Sequence, residues 1–159
     1  MMADKIIGLT DLVATFKAMR TDVREKAAPR IVVAGGRVLV RAAKTEAQRL
    51  GLRKTGALIR NIAIKRERDA PAGTTEYHVG VRHGRALGNG KKVKKYLAVS
   101  KQGRIVTRRE NDPFYWRYLQ LGTKYRNATP YLEAGLAKDG GQAAVTAMEV
   151  TAAKLLLKE

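Results

Sequence analysis

Two kinds of position recur at helical spacing between residues 30 and 50. Arg30, Arg37, Arg41, Lys44 and Gln48 are separated by seven, four, three and four residues, which makes one stripe of a helix. Val33, Val40, Ala43, Ala47 and Leu50 make a second, apolar stripe. The same segment contains RIVVAGGRVLVRA, two β-branched runs around Gly-Gly, and residues 30–43 read locally as a hairpin too. Neither run alternates apolar with polar positions, so the periodicity predicts one long helix over about 21–50. Within it Gly35 and Gly36 either weaken the helix or admit a close helix neighbour. Upstream, TDLVATFKAM (10–19) predicts a shorter helix, capped by Thr10 or Asp11, with Leu12, Phe16 and Met19 on one face. Thr21 or Asp22 would cap the longer helix, and Pro29 is tolerated only near a helix start or at a kink.

After Gly51 the pattern changes to period two. ALIRNIAIKRER alternates imperfectly and predicts a strand, PAGT a turn, and TEYHVGVRH a second strand. In that second strand Tyr77, Val79 and Val81 share one face, and Glu76, His78 and Arg82 the other. GRALGNGKK is a loop, and KKYLAVSKQGRIVTRR reads as a further hairpin turning at Ser-Lys-Gln-Gly, its arms covered in Lys and Arg. FYWRYLQLG is a strand or a short helix. Thr129 before Pro130 marks the start of a C-terminal helix, with Thr129 as its cap, and Asp139-Gly140-Gly141 is a place for it to pause. The fold class is therefore α+β: N-terminal helices including one long helix, a small antiparallel sheet with a protruding basic hairpin, and a C-terminal helix. Its 159 residues form a single domain with a basic loop-hairpin insert at about 84–111.

Charge sharpens this picture. Of the formal net charge of +18, residues 53–109 supply +13, with 16 Lys/Arg against 3 Asp/Glu. Lys91, Lys92, Lys94, Lys95, Lys101, Arg104, Arg108 and Arg109 crowd the insert. Hairpin arms this short cannot bury so many cations without partners. The insert is expected to project and engage an acidic protein surface or DNA, with a protein surface slightly favoured.

Chemistry for catalysis is sparse. There is no cysteine, which excludes disulfides and thiol sites and fits an intracellular protein. His78 and His83 are the only histidines, and their spacing points them to opposite faces of a strand with no third strong ligand. GRALGNGKK fails as a P-loop, because Arg85 stands where the first glycine is needed and Lys92 replaces the hydroxyl residue. The carboxylates are scattered; Asp112, beside Pro113, reads as a turn residue. No apolar stretch is long enough to span a bilayer, and the N-terminus carries no export signal. No metal and no cofactor are expected. The classes left open are a structural connector, a sequence-independent nucleic-acid-binding protein, and a small nuclease whose dispersed carboxylates converge only in the fold.

Four stretches in order, KTGALIRNI (54–62), YHVGV (77–81), YWRYLQLGT (115–123) and ATPYLEAGL (128–136), resemble the tail-completion family of lambda-like long-tailed phages. The matching positions are Thr55, Gly56 and Leu58 at the start of the first strand, Val79, Gly80 and Val81 in the second, then Tyr115, Gly122 and Thr123. The last set, Pro130, Tyr131, Leu132 and Leu136, opens the final helix. Gln120 stands where that family often has an acid, and Gly135 where it prefers Ala or Pro. The resemblance implies a virion protein without enzymatic activity. It would form a homo-oligomeric ring in the neck or upper tail, with the tail terminator and head-closure proteins as neighbours and DNA possible in the channel. It would be made in the host cytoplasm and carried in the virion, with no membrane contact.

Overall fold

In the computed structural model the described residues are 9–52, 56–84, 87, 95–109 and 111–157. The N-terminal third is one continuous helix, composed of α1 (Leu9–Asp22), a π-helical turn at Val23–Ala27, and α2 (Ala28–Arg49). The helical stripe thus prevails over the hairpin for residues 30–43, and the two expected N-terminal helices are fused. Thr10 and Asp11 fall within α1, which already runs from Leu9. Thr21 donates its hydroxyl to the Lys17 carbonyl at 3.0 Å, and Asp22 pairs with Lys26 at 2.7 Å, so neither starts a second helix. The π turn has an identifiable cause. Pro29 has no N–H to give the Glu25 carbonyl, and one residue earlier the Ala28 N–H reaches back five residues to Val23.

Next come α3 (Ala57–Asn61), β1 (Ile62–Arg66) and β2 (Tyr77–Val81). The first strand is shorter than its alternation predicts. Gly56, at φ 71°, starts a helical turn, and the chain becomes extended only at Ile62. That turn puts Leu58 and Ile62 together in the core, which explains the imperfect alternation. β1 and β2 pair antiparallel with Ile62 opposite Val81 and Arg66 opposite Tyr77. A separate ribbon follows, β3 (Lys95–Val99) with β4 (Ile105–Arg109), Lys95 facing Arg109 and Val99 facing Ile105. The aromatic stretch forms a short helix, α4 (Trp116–Leu121).

The C-terminal helix is broken as the glycines suggest. α5 (Tyr131–Gly135) and α6 (Gly141–Leu156) are linked by Leu136–Gly140, where Lys138 and Asp139 leave the helical region. Thr129 does not cap this helix with its side chain. Its N–H bonds the Leu119 carbonyl at 2.7 Å, tying the segment to α4 instead.

α2 is the hub against which α5, α6, β1 and β2 pack. Ala43 and Ala47 of α2 meet Leu58, Ile62, Val81, Leu119 and Tyr131 in one apolar cluster. Small residues on α2 let larger neighbours approach. A Cβ on Gly35 would come within 2.7 Å of Met148 in α6, and one on Gly36 would overlap Ile64 of β1. The pair thus admits a close helix neighbour, and a strand beside it.

Candidate interaction surfaces

The basic insert is anchored at its base. Asp112 Oδ1, on a nearly fully buried residue, accepts the Gly84 N–H at 3.1 Å. Beside it, Asn111 accepts from Arg60 (3.1 Å) through its side chain and from Asn61 (3.2 Å) through its carbonyl. Asn111 adopts φ 59°, which an Asn tolerates, and Pro113 is fully buried behind it. The chain therefore leaves the body at Gly84 and returns at Asp112, with β3 and β4 packing chiefly on each other.

Of the cations assigned to this insert, Lys101 and Arg104 lie exposed at the turn between β3 and β4. Lys95, Arg108 and Arg109 occupy strand positions, Lys95 opposite Arg109 and Arg108 opposite Tyr96. Lys91, Lys92 and Lys94 lie outside the described residues. The arms are less uniformly basic than their composition suggests. Leu97, Val99, Ile105 and Thr107 share one face of the ribbon and are exposed, Leu97 at 73% and Ile105 at 75%. Among the described residues this apolar face is left open to water, and a two-stranded ribbon by itself is marginal there.

A second unpartnered apolar surface is α1. Val13, Phe16, Met19 and Val23 follow helical spacing and all are exposed, Phe16 at 61% and Met19 at 58%. Phe16, Met19 and Val23, with Ala28, Val32, Gly73 and Thr75, line an open groove.

The motif positions separate into buried and presented groups. Leu58 and Tyr131 are fully buried, and Leu132 and Tyr115 pack at the edge of the core. Gly56 and Gly122 hold positive φ, whereas Gly80 is an ordinary strand residue with open space around it. Thr123 pairs with Arg126 across a tight turn, and Pro130 precedes α5. Thr55 lies outside the described residues. The aromatic cluster is divided: Tyr131 fills the core, while Phe114, Tyr118 and Tyr125 (91% exposed) face outward. Gln120 is buried, accepting the Leu132 N–H and donating to Glu133, each at 3.3 Å.

Sequence reasoning missed a buried charge. Glu46 receives two hydrogen bonds from Arg49 Nε (2.9 and 3.0 Å) and lies 3.4 Å from Lys138 Nζ, fastening α2 to the break before α6. The Arg49 hydrogen bonds hold its carboxyl below the usual glutamate range against the opposing effect of burial, with Lys138 adding to them. The signal was available, since Glu46 stands between Ala43 and Leu50 on the apolar stripe.

His78 stands between Glu67 (3.1 Å) and Glu76 (3.7 Å), and His83 stacks obliquely near Trp116. Among the described residues no group of three His, Cys, Asp or Glu is placed to hold a metal ion, and no helix is long and apolar enough to cross a membrane. No protein-family model, curated protein or solved structure matches the chain.

Proposed function

We propose that this protein is a ring-forming structural component of a phage neck or upper tail, completing the tail and helping it join the head. The observation that carries the reading is the pair of apolar surfaces left uncovered in the monomer, α1 and the β3–β4 ribbon. Surfaces of this kind mark protein–protein contacts. The two elements differ in shape, so a contact between them in successive copies would be heterologous, the type that closes into rings. The order of the four sequence stretches supports the tail-completion assignment, and the absence of an evident acid–base pair or nucleophile in that reading agrees with a role that is not enzymatic. The cations at the ribbon's turn suit an acidic face on a neighbouring tail-terminator or head-closure protein. In this reading the protein is carried in the virion.

The test is electron microscopy of purified head–tail necks, together with light scattering of the isolated chain. A discrete ring containing this chain is the expected result; its absence from mature particles would end the structural reading. Reversing Lys94, Lys101, Arg104 and Arg108 to Glu should leave the monomer folded while blocking tail joining. Normal yields of infectious particles from that variant would reduce the ribbon's charge to a solvated surface.

A further inference from the structure

A second set of cations converges away from the insert. An open groove of roughly 910 Å³ lies between the π turn and the β1–β2 hairpin. Arg24 reaches it from the π turn, Lys65 and Arg66 from β1, Arg68 from the following turn, and Arg82 from just beyond β2. All five are exposed.

Three carboxylates, Glu25, Glu67 and Glu76, also line the groove. Two of them are already engaged by neighbouring groups. Glu67 Oε1 accepts the backbone N–H groups of Arg68 (2.8 Å) and Asp69 (3.2 Å), and its other oxygen lies 3.1 Å from His78 Nε2. Glu76 approaches the same nitrogen at 3.7 Å. These contacts turn the acids toward their own hairpin, and no ion pair within the groove ties down the five cations among the described residues.

Cations brought to one groove from four places along the chain repel one another, and an extended polyanion relieves that repulsion. The spread of five charges around so wide an opening suits a row of phosphates better than one. Among the described residues, the rest of the lining narrows the ligand further. It contains no aromatic ring on which an unstacked base could lie, as single-strand binders use. It contains no Asn or Gln to read an adenine edge. Ile64 is its only large apolar side chain, which gives an acidic protein little to pack against. We propose that this groove binds the sugar-phosphate backbone of double-stranded nucleic acid without sequence preference. The inference concerns the isolated chain and stands apart from the ring reading.

The test is fluorescence anisotropy of the full chain with a labelled short DNA duplex across about 50–200 mM salt. Each phosphate contact contributes about 0.9 to the slope of log affinity against log salt. Replacing Arg66→Gln and Arg68→Gln together should make that slope shallower by about 2 and weaken binding about 60-fold at 0.1 M salt. The pair Lys101→Gln and Arg104→Gln at the ribbon turn should change it less. Should the first pair fail to fold by circular dichroism, Arg66→Lys with Arg68→Lys keeps the charge and should keep the slope. Unchanged slope and affinity in the folded Gln pair would overturn the proposal. So would a loss confined to the ribbon pair, or a shallower slope in the folded Lys pair. Polyglutamate that displaces the duplex as well as unlabelled DNA of equal charge would assign the groove to an acidic protein instead.

Discussion

The backbone of Gly135 rests on the backbone of Ala43. A Cβ at Gly135 would lie 2.9 Å from both the Cα and the N of Ala43, and 3.0 Å from the carbonyl carbon of Ala42. Backbone atoms in the middle of α2 cannot swing aside as a side-chain tip can. Gly135→Ala should therefore destabilise the protein by about 1–3 kcal/mol, although alanine is the better helix former by about 1 kcal/mol. Gly80→Ala is the matched control, since nothing lies within 4 Å of its added Cβ. Chemical denaturation of both variants should separate them clearly, with Gly80→Ala near wild type.

Gly122 holds φ 78° with ψ −177°, a region nearly closed to residues with a Cβ. An added Cβ would also stand 2.8 Å from the Ala128 N and 3.0 Å from the Arg126 O. Gly122→Val is expected to lose at least the ~1–3 kcal/mol of backbone strain. Wild-type melting for this variant would mean that the turn at 123–126 does not need glycine before it.

Tyr131 is fully buried, and among the described residues its hydroxyl has no hydrogen-bond partner. Burial raises its phenol pKa above the ordinary tyrosine value, with Tyr115 adding to the effect. Removing an unpartnered buried hydroxyl removes a desolvation penalty. Tyr131→Phe should melt at or above the wild-type temperature. In an ultraviolet pH titration one tyrosine of the wild type should ionise only when the protein unfolds. A clear loss of stability in the Phe variant would mean that the hydroxyl is bonded in solution.

Glu46 supplies a pH dependence. Its folded-state pKa is depressed, chiefly by the Arg49 hydrogen bonds. Its contribution to stability is then fully present above the unfolded glutamate value of about 4.3 and is lost as pH falls through the lower folded value. Melting temperature should decline over that acidic window. Glu46→Gln should be less stable near neutrality and show a flatter acid limb. A variant with the wild-type acid profile would remove Glu46 from this role.

Much of this was legible in the chain because helical spacing is redundant. Four basic positions with Gln48, and five apolar ones, agreed on one helix from 30 to 50, and local hairpin propensity around Gly35-Gly36 could not outweigh them. The Gly-Gly pair served packing rather than a turn, which its immediate neighbours do not reveal. Residues 57–61 misled for the opposite reason. A single helical turn is too short to show period 3.6, and Leu58 with Ile62, four apart, fits either a strand or a helix. The groove cations were harder to foresee, because Arg24 and Arg82 are 58 residues apart and meet only through the fold. The insert's run of lysines drew attention by density in sequence, whereas convergence in space is invisible to a count.

Synthesis order puts a further demand on α2. One of its close helical neighbours is made last: Gly35 waits for Met148, which is 148 − 35, or 113, residues further on. At roughly 5–20 residues per second that interval is about 6–23 s. For most of it the emerging helix shows Val40, Ala43 and Ala47 to water, with neither α5 nor α6 complete. A nascent chain in that condition is a natural client for a chaperone, and its yield is set by how fast the ribosome delivers the C-terminus as well as by how well the finished core packs.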